Sequence, residues 1–415
     1  MADVLPIQAF RSLDRTCRDR WGWYPLAMVW LLPILCPAAT LKDRFAQGRA
    51  WLRRLSPTLP LAGTYQGFVK ALRRRGEMLT FWMRTAVQER LHDRLGDDDL
   101  VEGWRPLAVD GTRFDCPRSR SCQKRFPPAS REKSPPQLAL TSLWHLGVHC
   151  WYDGRVGPAR TSERAMLRDM LDDLPERTLL VGDAGFVGYD LCAELMHRGV
   201  GFLLRVGRNV QLLTRLGLVR QEDSGTVYLW PRRHRGQPPL RLRLVVVGSG
   251  KRRVYLLTGV LSRRDLSHTQ AAEFYRRRWG VETAYRAVKQ TLERRKLLSR
   301  AADLARWELV GIFLAAWTLS IVSLFARGGR ARGRAWSPAE TIRAVRQALE
   351  HADRRGPSLR RRLARAVVEH SPSGRKKIRQ RWPRQKTEPP CGAPKIKPAP
   401  MTLVLKAQRF AAVAA

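Results

Sequence analysis

Apolar residues change their spacing along this chain, and each change marks a new kind of element. Up to about residue 102 they recur at helical intervals in Trp-, Leu- and Arg-rich runs such as FVKALRRRGEMLTFWMRTAVQERLHDRL, without alternation. GDDDLVEG then breaks the pattern. Strand-like segments follow in RPLAVDGT, QLALTSLWHLG and VHCWYDG, the last two divided by a Gly-containing turn. Between the first and second lies CPRSRSCQKRFPPASREKSPP, basic, Pro-rich and expected to be irregular. SERAMLRDMLDDL predicts a helix capped by Thr161 or Ser162. RTLLVGDAGF predicts a short buried strand, YDLCAELMHRG a second helix and GFLLRVG another strand.

Strands and helices mixed in this order predict an α/β fold, a mixed sheet with helices packed on it. From 208 to 262 the pattern shortens to alternating strands, TVYLW, LRLRLVVVG and RRVYLLTGV, around the loop PRRHRGQPP. The expected organisation is a helical N-terminal region (1–102), the core sheet (103–207), a β-rich insertion (208–262), a second, helical part of the core (263–330) and a basic C-terminal region (331–415). Its Lys- and Pro-rich run, RKKIRQRWPRQKTEPPCGAPKIKPAP, reads as largely unpacked.

Two segments imitate membrane spans. Tyr24 to Pro37 is short and interrupted by Pro25, Pro33 and Pro37, which suits a buried or interfacial helix. Trp307 to Phe325 is long enough to span, with Glu308 as its charge, but it reads better as a core helix packed against the sheet. The first twenty residues are polar and charged, unlike a secretory signal.

Charge narrows the function. Lys and Arg number 77 against 36 acidic residues, a formal charge of +41, which repels itself unless a polyanion neutralises it. Nucleic acid suits that role, because the basic residues are spread through the chain rather than massed beside one apolar span. The seven cysteines contain no CxxC pair and fit a reducing cytoplasm. His145, His149 and Cys150 cluster within predicted strands and read as packing residues.

The chemistry is carried by YRRRWGVETAYRAVK. If this segment is one helix, Tyr275, Arg278, Glu282 and Lys289 fall within an arc of roughly 60° at about 100° per residue. One carboxylate then stands among a phenol and two cations. Asp110 and Asp183 each follow an apolar strand and precede a glycine-containing turn, VDGT and GDAGF. Converging carboxylates of this kind raise one another's pKa, and bound magnesium or manganese removes the penalty. Two such ions about 4 Å apart suit phosphodiester displacement. Asp115 and Glu293 are weaker candidates for the same role, and Trp279 is expected to pack inward.

The order Asp110, Asp183, β-rich insertion, Glu282 resembles the DDE transposases of bacterial insertion sequences. Y-x2-R-x3-E-x6-K matches the IS-four family signature at all four positions, and DGT and DAGF resemble its first two motifs; the resemblance covers roughly residues 100 to 330. It implies an RNase H-like core in which Asp110, Asp183 and Glu282 hold two Mg²⁺ or Mn²⁺ ions. Tyr275, Arg278 and Lys289 would contact transposon-end phosphates. An aromatic residue of the insertion, Tyr255 before Trp230, would accommodate a flipped base where a hairpin forms. Inverted-repeat ends and target DNA are the implied partners, with a homodimer in the synaptic complex, in the cytoplasm and away from membrane. A catalytically inactive or repurposed DNA-binding relative, a basic nucleic-acid-coating protein and a membrane-anchored protein are the alternatives.

Overall fold

The computed structural model describes residues 21–414 apart from 62, 129–133, 220–221, 251–252, 329–335, 352–357 and 367–391, and before them residues 5, 7–10 and 13. Most of the predicted basic tail therefore lies outside the described residues. Its strands are β1 (Arg105–Asp115), β2 (Gln137–His145), β3 (Cys150–Pro158), β4 (Thr178–Gly182), β5 (Gly201–Val206), β6 (Gln211–Thr214), β7 (Thr226–Leu229), β8 (Leu240–Val247), β9 (Val254–Thr258) and β10 (Lys395–Pro398). The chain divides into two compact units, one made of Met1–Asp99, Asp110–Asp173 and Gly280–Val368, the other of Leu100–Val109, Leu174–Trp279 and Glu369–Ala415.

In the second unit the strand order is β1-β4-β5-β9-β8-β7-β6-β10. β4 lies parallel to both β1 and β5, and all of its residues are buried, which is why TLLVG shows no alternation. β9 pairs antiparallel with β5, so the strands read as an insertion extend the same sheet. The His268–Arg277 helix begins with a capping box between Ser267 and Gln270 and packs on this sheet.

The C-terminal segment differs from expectation. β10 pairs parallel with β6, and the helix Met401–Ala414 brings Ala407 and Phe410 against the buried cluster around Tyr228 and Trp230. Leu403, Ala407 and Phe410, at helical spacing after the Pro-rich run, supply the apolar face that the basic composition masks.

In the first unit β1 continues and is followed by β2 and then β3, the last two antiparallel. The run β3-β2-β1-β4-β5 is the strand order of an RNase H-like fold, mixed in direction and flanked by helices. The Pro-rich loop after β1 is less irregular than expected. Ser119 accepts from the Cys122 N–H and starts a short helix, Arg120–Arg125.

The apolar helix Ala302–Ala326 is a core element, buried along most of its length against β3 and the helices Trp23–Leu35 and Tyr65–Leu95. It is long and apolar enough to cross a bilayer, and its burial is what decides the reading. Glycines let it approach closely. A Cβ on Gly154 of β3 would stand 2.6 Å from the Phe313 ring, and one on Gly76 would stand 2.8 Å from Trp307. Around this contact Arg84 of the Tyr65–Leu95 helix donates to both carboxylate oxygens of buried Asp153 on β3, at 3.0 and 2.9 Å.

Gly154→Ala is therefore expected to lower the unfolding free energy by roughly 1–3 kcal/mol through overpacking. Denaturant unfolding measures this, and an unchanged midpoint would show that Phe313 yields without cost.

Candidate active site

β1 is buried from Pro106 to Val109 and half-buried from Asp110 to Thr112. Asp110 thus lies inside the strand, not in the turn that Asp-Gly suggested, because the pairing of the extended chain outweighs the local turn preference. Parallel register joins Ala108 to Val181, and each aspartate follows its paired residue by two positions. Asp183 does sit in a turn: it caps the 3₁₀ turn Ala184–Phe186, its Oδ1 accepting from the Gly185 N–H at 2.8 Å.

The segment expected to be one helix is three pieces. The first helix ends at Arg277, and the Arg278 N–H is shared between the carbonyls of Phe274 and Tyr275, both at 3.2 Å. A second helix runs Trp279–Arg286 and passes into a π turn, Ala287–Thr291, closed by Leu292 N–H on the Ala287 carbonyl. A constant 100° step therefore does not hold from Tyr275 to Lys289. Glu293, placed on the same face by that step, is instead an exposed residue at φ +58° beyond the helix. Trp279, expected to pack inward, is 56% exposed, since Val281, Ala284 and Tyr285 form the buried face.

Within the first unit, Glu282 is half-buried on the second helix, and Tyr285 follows it by less than one turn. Buried Tyr285 donates its hydroxyl to the Asp110 carbonyl at 3.0 Å and meets the Ser142 hydroxyl at 2.6 Å. Burial, and then the charge of Asp110, hold the phenol well above its usual pKa, so it remains a donor. Lys289 donates to Thr112 Oγ1 at 2.5 Å and lies 5.1 Å from the Phe114 ring centre. Asp110, Thr112 and Phe114 alternate onto one face of β1, so Lys289 lies on the Asp110 side. Burial first, and the nearby Arg295 second, lower the Lys289 pKa; Asp115 and Asp110 oppose them.

On the other face a Cβ on Gly111 would overlap the Glu163 carboxyl group. Asp115 has structural work: its side chain accepts from Gln137 Nε2 at 2.9 Å, and its backbone forms an isolated parallel β-bridge at Lys296.

Within the second unit, Arg278 lies 5.7 Å from the Tyr275 ring centre. Arg276 and Arg277 are held by Glu273, whose carboxyl they depress to about 2, the Arg276 hydrogen bond contributing most. The basic run is thus partly neutralised within its own helix, and the Glu273 fork takes in Arg276 and Arg277 rather than Arg278. Tyr255 is half-buried on β9 between Val206 and Val246, whereas Trp230 is fully buried and its indole donates to the His234 and Gln237 carbonyls.

Asp110 and Glu282 belong to the first unit and Asp183 to the second. Among the described residues no group of three His, Cys, Asp or Glu side chains stands close enough to hold a metal ion. The chemistry of the donor set, oxygen ligands on a strand, a turn and a helix, does fit a hard divalent cation.

The Transposase DDE domain profile matches residues 105–318, just over half of the chain. The chain belongs to the Transposase DDE domain family. Among the relatives of this transposase-family chain, the Transposase InsG for insertion sequence element IS4 of Escherichia coli (strain K12) is 25% identical over 232 residues, 51% of each chain. The Putative transposase InsZ of the same organism is 27% identical over 148 residues, 34% of this chain and 49% of that one. The chain spans about half the length of these curated relatives. A cryo-EM structure of piggyBac transposase in a synaptic complex with hairpin DNA aligns with a TM-score of 0.41 and 13% identity, over 90% of this chain and 84% of that one.

Sequence reasoning missed Tyr285, Ser142 and Thr112. Tyr285 carried a usable signal, an aromatic residue three positions after Glu282 on the apolar face.

Gly111→Ala should force Glu163 aside and cost roughly 1–3 kcal/mol. Glu163→Ala in the same chain should recover most of that loss, with both read from thermal unfolding; additive losses would refute the contact.

Proposed function

We propose that this chain is a DNA transposase that cleaves at the ends of its insertion sequence and joins the resulting 3′-hydroxyls to target DNA. The observation that carries this is the extent of the family match. It runs from Arg105 to Thr318 and so includes Asp110, Asp183, Glu282 and the Tyr275–Lys289 segment in order. The +41 charge supports the same reading.

In this proposal Asp110, Asp183 and Glu282 hold two Mg²⁺ or Mn²⁺ ions. Bound there, such ions activate the attacking oxygen and stabilise the leaving one. The chain's own residues do the rest. β1 fixes the backbone of Asp110, and the Asp183 turn holds that carboxylate at the end of β4. Tyr275, Arg278 and Lys289 bind end phosphates, and a phosphate at Lys289 Nζ would offset the burial that now lowers its pKa. Tyr255, more exposed than Trp230, would face an extruded base. The helical N-terminal region reads the inverted repeats, with help from the basic C-terminal segment. The active species is a homodimer on DNA, in the cytoplasm with the nucleoid.

The protein is incubated with Mg²⁺ and a duplex carrying the DNA that flanks its reading frame. Alanine at Asp110, Asp183 or Glu282 should reduce strand nicking at least about 100-fold, as for loss of an essential catalytic group, with end binding retained. Nicking that persists in these variants would sink the catalytic assignment. Arg278→Ala and Lys289→Ala should weaken end binding and lower the slope of log affinity against log salt by about one each. Unchanged slopes would remove them from the phosphate contacts.

A further inference from the structure

We infer that Tyr285 is a positioning residue that sets the glutamate helix against the strand bearing the first aspartate. This rests on the proposed carboxylate assignment and deepens it. The Tyr285 hydroxyl reaches the carbonyl of Asp110 itself, at 3.0 Å, and the hydroxyl of Ser142 on β2, at 2.6 Å. The phenol has one proton. When it donates to Asp110, the Ser142 hydroxyl donates to it, giving a relay from Ser142 through Tyr285 to Asp110.

The Ser142–Tyr285 end of the relay is buried, with Ser142 inaccessible and Tyr285 5% exposed, and the Asp110 end is part-buried. In such surroundings a polar contact is worth more than at the surface, and its partners have no water to fall back on. Tyr285 also packs its ring 5.1 Å from Trp151 on β3, so its position is fixed by packing as well as by hydrogen bonds. Glu282 lies three residues earlier, about one helical turn away. A shift of the Tyr285 ring therefore carries Glu282 with it, along or away from β1. One side chain thus couples the backbone of one proposed metal ligand to the helix of another, both within the first unit.

The geometry separates two roles. If the phenol only filled space, Phe would replace it with a modest loss of stability and nothing else. As a positioning group it contributes to how well Asp110 and Glu282 act together on a cation, which Phe would not restore.

The full chain is tested as wild type, Tyr285→Phe, Ser142→Ala and Glu282→Gln. Mn²⁺ binding is read by calorimetry, and the half-saturating Mg²⁺ concentration by nicking of the flanking-DNA duplex. Tyr285→Phe is expected to weaken Mn²⁺ binding about 10-fold, the lower end of the range for losing a supporting hydrogen bond near a metal site, because the phenol acts through the Asp110 backbone. Half-saturating Mg²⁺ should rise by a similar factor, with most of the nicking rate recovered at high Mg²⁺ and end-DNA affinity unchanged. Ser142→Ala keeps the phenol and should give a smaller change in the same direction, which preserves the test if Tyr285→Phe folds poorly. Loss of activity at every Mg²⁺ concentration, with Mn²⁺ affinity and half-saturation unmoved in both variants, would overturn the inference. Glu282→Gln serves as the control: if it abolishes nicking while the others leave metal dependence unmoved, only the positioning role fails. If Glu282→Gln nicks normally, the carboxylate assignment itself falls.

Discussion

The parallel pairing of β1 with β4 is the constraint on which the rest of the structure depends. It binds two strands that are far apart in sequence and fixes their register through Arg105–Ala108 and Thr178–Val181. Both strands are apolar because the pairing is buried, and both end their buried runs at an aspartate. A slip of one residue would turn each of these side chains to the opposite face. The hydrophobic pattern of LAV and LLV thereby specifies the register of the two strands.

A second constraint holds the first unit together. The Ala302–Ala326 helix has no polar face and is stable in water only when surrounded. Small residues on its neighbours, Gly154 and Gly76, let aromatic rings meet backbone there, and buried Asp153 draws Arg84 across the same region. Glu308, the charge within the apolar run Trp307–Phe325, accepts hydrogen bonds from the backbone N–H groups of Leu298 and Ser299. Its charge is met by the loop that leads from the glutamate helix into the core helix.

Much of this was legible in the residue pattern. The strands β1 to β5 and β7 to β9 and the core helix follow from periodicity, since each buries a face or a whole surface and its composition records that burial, whereas the short β6 was not legible. The carboxylates at Asp110 and Asp183 were visible for the same reason, as polar residues placed directly after apolar runs. What periodicity could not register was a change of helical pitch. The break at Arg278 and the π turn at Ala287–Thr291 are changes in backbone hydrogen bonding, so neither leaves a mark in the order of apolar positions. The exposure of Trp279 follows from that break. Partners from distant strands were likewise invisible: nothing local ties Tyr285 to Ser142, or Lys289 to Thr112. The β10 strand was hidden by composition, its lysines suggesting a solvated tail.

Those lysines have a further meaning. KIKP forms the outermost strand of its unit, and its residues are exposed. Charged side chains and a proline on a sheet border discourage another strand from adding to it. Until Lys395–Pro398 docks, however, β6 presents an uncapped border without that guard, and the closing segment lies nearly half the chain further on. During synthesis β6 therefore exists before the segment that covers its border, so this side of the sheet is completed last, by the far end of the chain.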